Sequence, residues 1–253
     1  VYGGLYMQYK VASVGLSGQK MVPSNFDVIK FVEENPDNDL YLSLYTYEEE
    51  HYEQFKKTNK VAGIVGLKTN ELFFDFDHED VNVAKEDTLT AYSKLLLAGF
   101  DRDQVQCYFS GNKGFHLRVT LDDWLNRKEF ENIVYSVAQD LESYDKKVTN
   151  DNRIIRIPFS KHQKTSLYKI PLTFEMLEQY SMDKIKEMAS DRTDEALEIY
   201  NSWEDKKAKI PKLLNVLRNK SETQQKKERD EVSFDDRPDL SSRPKWISPT
   251  KYV

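Results

Sequence analysis

A mixed α/β (α+β) domain with a helical C-terminal appendage is the fold this sequence predicts. Three observations carry that prediction. Short runs rich in aromatic and aliphatic residues recur between Leu40 and Leu172, some alternating with period two as strands do. Stretches with apolar residues at helical spacing separate them, the clearest being Val83 to Leu97 and Asp122 to Glu142. From Thr173 onward the pattern is helical alone.

The segment through Lys20 mixes Gly, Tyr and small residues without a sustained period and reads as strand or irregular chain. Pro23 and Ser24 precede Phe26, Val28, Ile29, Phe31 and Val32, a short capped helix that ends near the turn-rich Asn35-Pro36-Asp37-Asn38-Asp39. Leu40 to Tyr47 has a strand pattern, and Glu48 to Lys57 reads as an exposed helix. Val61 to Leu67 and Glu71 to Asp77 read as a hairpin around Lys68-Thr69-Asn70. The helix over Val83 to Leu97 stops before Gly99, and the strand Val105 to Phe109, the turn Ser110 to Gly114 and the strand Phe115 to Val119 follow. Asp122 to Glu142 reads as one amphipathic helix, with Trp124, Leu125, Phe130, Ile133, Val134, Val137 and Leu141 on its buried face.

Arg153 to Pro158 and Tyr168 to Leu172 are strand candidates, and Phe174 to Gln179, Met182 to Met188 and Thr193 to Trp203 are helices. Lys206 to Asp230 carries nine basic residues against three acidic ones, a basic helix with a mobile end. Ser221 to Ser242 is poor in apolar residues and reads as flexible, while Trp246-Ile247-Ser248-Pro249 could dock on the body or stay free. The expected division is a core over 1–172, a helical subdomain over 173–220 and a tail over 221–253.

A chain of 253 residues can bury a sizeable core, and with 39% hydrophobic and 32% charged residues a polar segment should accompany it. No run approaches the roughly 18 to 20 apolar residues that span a bilayer, and no basic-then-apolar leader opens the chain, so an intracellular protein without a membrane partner is expected, cytoplasmic if bacterial or phage-encoded. Val1 in first position fits a trimmed chain. Cys107 is the only cysteine, which excludes an internal disulfide and a zinc site of several thiolates. The net charge of -6 argues mildly against nucleic acid, but Asp145 to Lys169 holds seven basic residues against two acidic ones, and the sign reverses between Glu33 and Glu53.

Three segments carry chemistry. On a strand, Asp75 and Asp77 project from one face while Phe74 and Phe76 turn to the other. Two such carboxylates repel unless a cation neutralises them, and hard oxygen donors favour Mg²⁺ or Mn²⁺; a solvated strand end is the bland alternative. Ser110-Gly111-Asn112-Lys113-Gly114-Phe115-His116 joins a tight glycine turn to the donors Ser110, Lys113 and His116, which suits phosphate oxygens as well as it suits a structural hairpin. Arg156, Ser160, His162 and Lys164, preceded by Asp145 and Val148-Thr149, offer hydrogen bonds to a triphosphate or sugar, or form a surface loop.

In this order the three segments resemble the motif set of the archaeo-eukaryotic primase superfamily, the small catalytic subunits and primase-polymerases. The D-x-D motif corresponds to Asp75 and Asp77, and S-G-x-R-G-x-H to Ser110, Gly111, Gly114 and His116, with Lys113 where arginine is common. D-x-x-V-[ST] followed by [KR]-x-P-x-S-x-H-x-K-T corresponds to Asp145, Val148, Thr149, Arg156, Pro158, Ser160, His162, Lys164 and Thr165. The resemblance spans roughly Leu40 to Leu172, and the lack of a cysteine-rich zinc element favours a compact viral, plasmid or bacterial form.

The resemblance implies a DNA primase or primase-polymerase domain of DNA replication, with two small sheets around a cleft where the strands bearing Asp75, His116 and Arg156 converge. It implies Mg²⁺ or Mn²⁺ on Asp75, Asp77 and Asp145, with Asp151 competing for the third place, and nucleoside triphosphate held by Ser110, Gly111, Lys113, Gly114, His116, Arg156, Ser160, His162 and Lys164. Single-stranded DNA template is the implied partner, with a helicase domain or a primase large subunit as further candidates. Lys146, Lys147 and the Lys206 to Arg229 stretch are candidates for template contacts. Two alternatives remain: an idle primase-like module that binds DNA or nucleotides, and a D-x-D glycosyltransferase, which leaves the Ser110 and Arg156 segments unexplained.

Overall fold

The computed structural model describes residues 7–61 and 63–218. Two four-stranded antiparallel sheets organise it, with strand orders β2-β1-β3-β7 and β4-β6-β5-β8. The first holds β1 (Tyr9–Val14), β2 (Ser17–Pro23), β3 (Leu40–Ser43) and β7 (Ile154–Arg156). The second holds β4 (Lys68–Asp77), β5 (Gln106–Phe109), β6 (Gly114–Asn126) and β8 (Ile170–Leu172).

Between strands run α1 (Val28–Glu34), α2 (Glu49–Thr58), α3 (Val81–Ala98) and α4 (Arg127–Ala138). Asp27, not the earlier Ser24, caps α1 by accepting the Lys30 amide. Helix α3 buries Ala84, Thr88, Ala91, Tyr92 and Leu95, the i, i+4, i+7 stripe of an amphipathic helix, and Gly99 closes it at φ 115, a left-handed angle that glycine adopts without a Cβ penalty. Both α3 and α4 feed the main core, where Phe74, Phe76, Phe115, Leu117 and Phe109 are fully buried. After β8 come α5 (Phe174–Gln179), α6 (Met182–Met188), α7 (Asp194–Ser202) and α8 (Lys212–Arg218). Thr173, Ser181 and Thr193 cap the first three, and Leu177, Ile185 and Leu214 join the main core.

Two expectations fail. No strand forms over Val61 to Leu67: Gly63 and Gly66 take φ of 83° and 77°, which break an extended run, and β4 instead starts at Lys68, so the hairpin is absent. The helix expected from Asp122 begins at Arg127, because β6 continues to Asn126 and pairs Leu125 with Thr69. Asn126 and Glu129 then close a reciprocal capping box that starts α4. Helix α2 is also less exposed than expected, with His51 and Phe55 buried. The part of the basic stretch beyond Arg218, the segment Ser221 to Ser242 and Trp246-Ile247-Ser248-Pro249 lie outside the described residues.

One chain segment ties the two sheets together. The Leu44 amide bonds to the Arg153 carbonyl beside β3, Phe159 and Lys169 pair through their backbones, and the chain then enters β8. Strands carrying Tyr41, Asp75, His116 and Arg156 thereby face a common cleft.

The tightest point of that arrangement is Gly114, where an added Cβ would lie 2.3 Å from the Phe76 carbonyl oxygen. Gly114→Ala should therefore destabilise the fold by about 3 kcal/mol, as an unrelieved overpacking does. Urea unfolding of the two proteins checks this.

Candidate active site

Register sets the acidic end of the cleft. Asp75 on β4 lies opposite His116 on β6, which lies opposite Tyr108 on β5, so these side chains share one face of the sheet. Phe73, two residues before Asp75, is buried on that face and meets the His116 ring edge-on at 5.1 Å. His116 Nε2 stands 3.5 Å from Asp75 Oδ1. Asp145 reaches the group through the backbone: its amide donates to the Asp75 carbonyl at 2.9 Å, and Tyr144 bridges to Phe76. Asp77 is exposed at the strand end.

Arg153 spans these acids. Its guanidinium pairs with Asp75 and, at 3.2 Å, with Asp145 Oδ2. Burial alone would raise the Asp75 carboxyl, but His116, Arg153 and Lys169 outweigh it and hold Asp75 below the ordinary carboxylate range. Asp77, exposed as a residue but with its carboxyl partly desolvated at the strand end, goes the other way. That desolvation and the negative charges of Asp75, Glu79 and Asp145 raise it, with Lys113 pulling against them. Asp151, the alternative third acid, turns to Arg127 at 3.1 Å.

The Ser110 turn borders the same cleft. Ser110 Oγ accepts from the amides of Asn112 at 3.4 Å and Gly114 at 3.3 Å. Gly111 has φ +88, and a Cβ there would stand 3.0 Å from the Leu167 carbonyl, so the turn packs against the third segment. Lys113 pairs with the largely exposed Glu79, a contact worth little, and is not among the residues that line the cleft.

Across the cleft, Arg156 pairs with Asp39, donates to Tyr41 Oη at 3.0 Å and lies over the Tyr41 ring. His162 lines the cleft, its Nδ1 accepting from the Lys164 amide at 3.2 Å. Two residues of the third segment do not reach it. Ser160 is buried and donates to the Ile157 carbonyl at 2.8 Å, while the Lys164 side chain is exposed outside the cleft wall.

Sequence reasoning missed Arg153, Lys169, Tyr41 and Asp39. Lys169 is buried behind the cleft, its Nζ donating to the Arg156 carbonyl at 2.8 Å and lying 4.7 Å from the Tyr108 ring centre. Burial, with Arg118 and Arg156 nearby, lowers its pKa well below the usual lysine value. An arginine eight residues after Asp145 and three before Arg156 was the one signal available.

Among the described residues no three His, Cys, Asp or Glu side chains converge closely enough to form a metal site as they stand. The donors nevertheless suit a hard divalent cation in kind: three carboxylates, one of them raised by desolvation and neighbouring negative charge, with Arg153 as counter-charge for the other two.

No family model matches the chain, and no curated protein matches it. Among solved structures it is similar to the polymerase domain of Mycobacterium tuberculosis ligase D in complex with DNA, at 15% identity and a TM-score of 0.48, over 78% of this chain and 76% of that one. It is also similar to the AEP domain of the cyanophage S-2L primase-polymerase, at 14% identity and a TM-score of 0.42, over 73% and 89%. Both likenesses are distant.

Two cleft histidines are held neutral. Burial, with Lys169 adding to it against the pull of Asp75, lowers His116 to about 4; burial with Arg156 and Lys164 lowers His162 to about 4. Folded, each binds fewer protons than the unfolded chain between their folded value and the ordinary 6.5. Their contribution to stability is thus complete above the ordinary value and is lost as pH falls from there toward about 4. An NMR titration of the imidazoles, assigned with His116→Gln and His162→Gln, should show both still neutral at about pH 5.5.

Proposed function

We propose that this chain is the catalytic domain of a primase-polymerase of the archaeo-eukaryotic primase superfamily, joining nucleotides on a single-stranded DNA template. The observation that carries this reading is the convergence of three separate motifs on one cleft. Asp75, Asp77 and His116 stand on adjacent strands, Asp145 is bonded to the Asp75 backbone, and Ser110, Arg156 and His162 line the same cleft. A bare D-x-D would not require the other two segments nearby, and a glycosyltransferase gives no reason for them.

Asp75, Asp77 and Asp145 are the residues that would hold Mg²⁺ or Mn²⁺. Bound there, divalent ions supply activation of a 3′-hydroxyl and neutralisation of the leaving pyrophosphate. The chain's own groups account for the rest. His116 buttresses Asp75 as a neutral imidazole between that carboxylate and Phe73. The Ser110 to Gly114 turn and Lys113 suit phosphate oxygens, Lys113 because its present partner is a solvated glutamate. Arg156, desolvated and clamped between Asp39 and the Tyr41 ring, is lowered to about 10 by burial and stays protonated at neutral pH, a fixed positive charge facing the site. Gly111 and Gly114 admit the close approach of backbone that the turn needs. Ser160 and Lys164 take supporting roles in this reading, Ser160 by fixing the loop that carries His162.

The test is incubation with a single-stranded DNA template, Mn²⁺ or Mg²⁺, and labelled ribo- or deoxyribonucleoside triphosphates. New oligomers without a supplied primer are expected, and extension of a primer alone would narrow the activity to a polymerase. Asp75→Ala and Asp77→Ala should each lower the rate at least about 100-fold, the upper loss seen even for outer-shell partners of a metal. Neither product with any nucleotide would leave an idle binding module.

A further inference from the structure

We propose that Arg153 is the internal counter-cation of the acidic cluster, exchanging its carboxylate partners for phosphate when metal and triphosphate enter together, so that the two ligands bind cooperatively. This rests on the reading of Asp75, Asp77 and Asp145 as metal ligands.

The Arg153 guanidinium pairs with Asp75 Oδ2 and Asp145 Oδ2, two carboxylates on different chain segments. A divalent ion on those carboxylates and the guanidinium compete for the same negative charge, so entry of one weakens the other. The other cations around the cleft lack this property. Arg156 is engaged by Asp39 and Tyr41, Lys169 is buried against the Arg156 carbonyl and two aromatic rings, and Lys113 faces Glu79.

Arg153 can move without unfolding its surroundings. Its backbone is pinned independently of its side chain, the amide donating to Asn150 O at 3.0 Å and the carbonyl accepting from Leu44 at 2.9 Å. Nε is buried without a hydrogen-bond partner, so neither carboxylate uses that donor of the fork. The side chain lines the same cleft as Ser110, Arg156 and His162, where the triphosphate is read to bind. A guanidinium displaced there meets phosphate oxygens, the acceptors its planar fork fits in two-point contact. A ligand that frees a group for a second ligand tightens that second ligand, and the effect is reciprocal.

The test measures Mn²⁺ binding by electron paramagnetic resonance of the free ion, for the wild-type chain, Arg153→Gln, Arg153→Lys and Asp75→Asn. Each is titrated with and without α,β-methylene triphosphates of adenosine and deoxyadenosine. Without nucleotide, Arg153→Gln should bind Mn²⁺ about tenfold more tightly than wild type, and Arg153→Lys should fall between, within the range of ordinary site-to-site coupling. Nucleotide should tighten Mn²⁺ on the wild type by a similar factor and leave Arg153→Gln nearly unchanged. Thermal melts give an independent reading: Mn²⁺ alone should raise the melting temperature of Arg153→Gln more than that of wild type. Equal or weaker Mn²⁺ binding by a folded Arg153→Gln overturns the exchange, and if that variant does not fold, wild-type affinity in Arg153→Lys does so. Wild-type binding that survives Asp75→Asn, or no wild-type binding at all, overturns the metal-site reading itself and this inference with it.

Discussion

Antiparallel pairing of β4 with β6 sets the position of the acidic side of the cleft. It puts Asp75 opposite His116 and Asp77 opposite Gly114, and it closes so tightly at Gly114 that no side chain fits against the Phe76 carbonyl. A slip of one residue would turn Asp75 toward α3 and α4 and bring Phe74 or Phe76 to the cleft. The hydrophobic face forbids this, since Phe74, Phe76, Phe115 and Leu117 are fully buried beneath the helices. Burial of those rings on one face is therefore what holds two carboxylates in place on the other. The cost of gathering acids is met locally by Arg153 and His116, while the strand's far end rests on a second buried set, Glu71 with Lys10 and Arg118. Loss of one partner there would strand a buried charge, which is more damaging than replacing the whole set by apolar groups.

Charge around the cleft is arranged in three compact clusters of opposite signs. Glu71 meets Lys10 and Arg118, Asp75 and Asp145 meet Arg153, and on the first sheet's side Asp39 meets Arg156. Asp77 apart, these clusters together carry no net charge, which favours neither an isolated anion nor an isolated cation. A divalent ion together with a triphosphate disturbs the balance far less than either alone, because the one brings the charge that the other lacks. On the proposed reading, clusters balanced in this way favour ligands of opposite sign entering as a set.

The sequence made the local half of this legible. Period-two alternation located Asp75 and Asp77 on one strand face, the turn Ser110 to Gly114 stood out by its glycines, and the helices Phe174–Gln179 and Met182–Met188 lie where apolar spacing put them. What failed was where two periods agree over a short run. Trp124 and Leu125 fit a helical stripe with Phe130, yet belong to β6, whose pairing with Thr69 is a long-range fact. The signature Asn126-Arg127-Lys128-Glu129 marked the true helix start and was readable as a capping box. Arg153, Lys169, Tyr41 and Asp39 were not readable, because their roles depend on β3 pairing with β7, more than a hundred residues away. Tyr41 lies opposite Arg156 only through that register.

The basic stretch from Asp145 to Lys169 shows why a charge count along a chain is a poor map of potential. Arg153 is engaged by Asp75 and Asp145, Arg156 by Asp39, and Lys161 by Asp37, while Lys169 is buried. Of the seven cations, Lys146, Lys147 and Lys164 are the exposed ones. The acidic reversal noted between Glu33 and Glu53 supplies Asp37 and Asp39 as partners to this very stretch, so the two opposite runs neutralise one another once β3 and β7 meet. On the proposed reading, recognition of a polyphosphate among Arg153, Arg156 and His162 draws little on idle charge, since both arginines already have carboxylate partners. It must re-partner cations that the fold already uses, and Arg153, whose partners are the two carboxylates Asp75 and Asp145, is the one whose release a metal on those acids would drive.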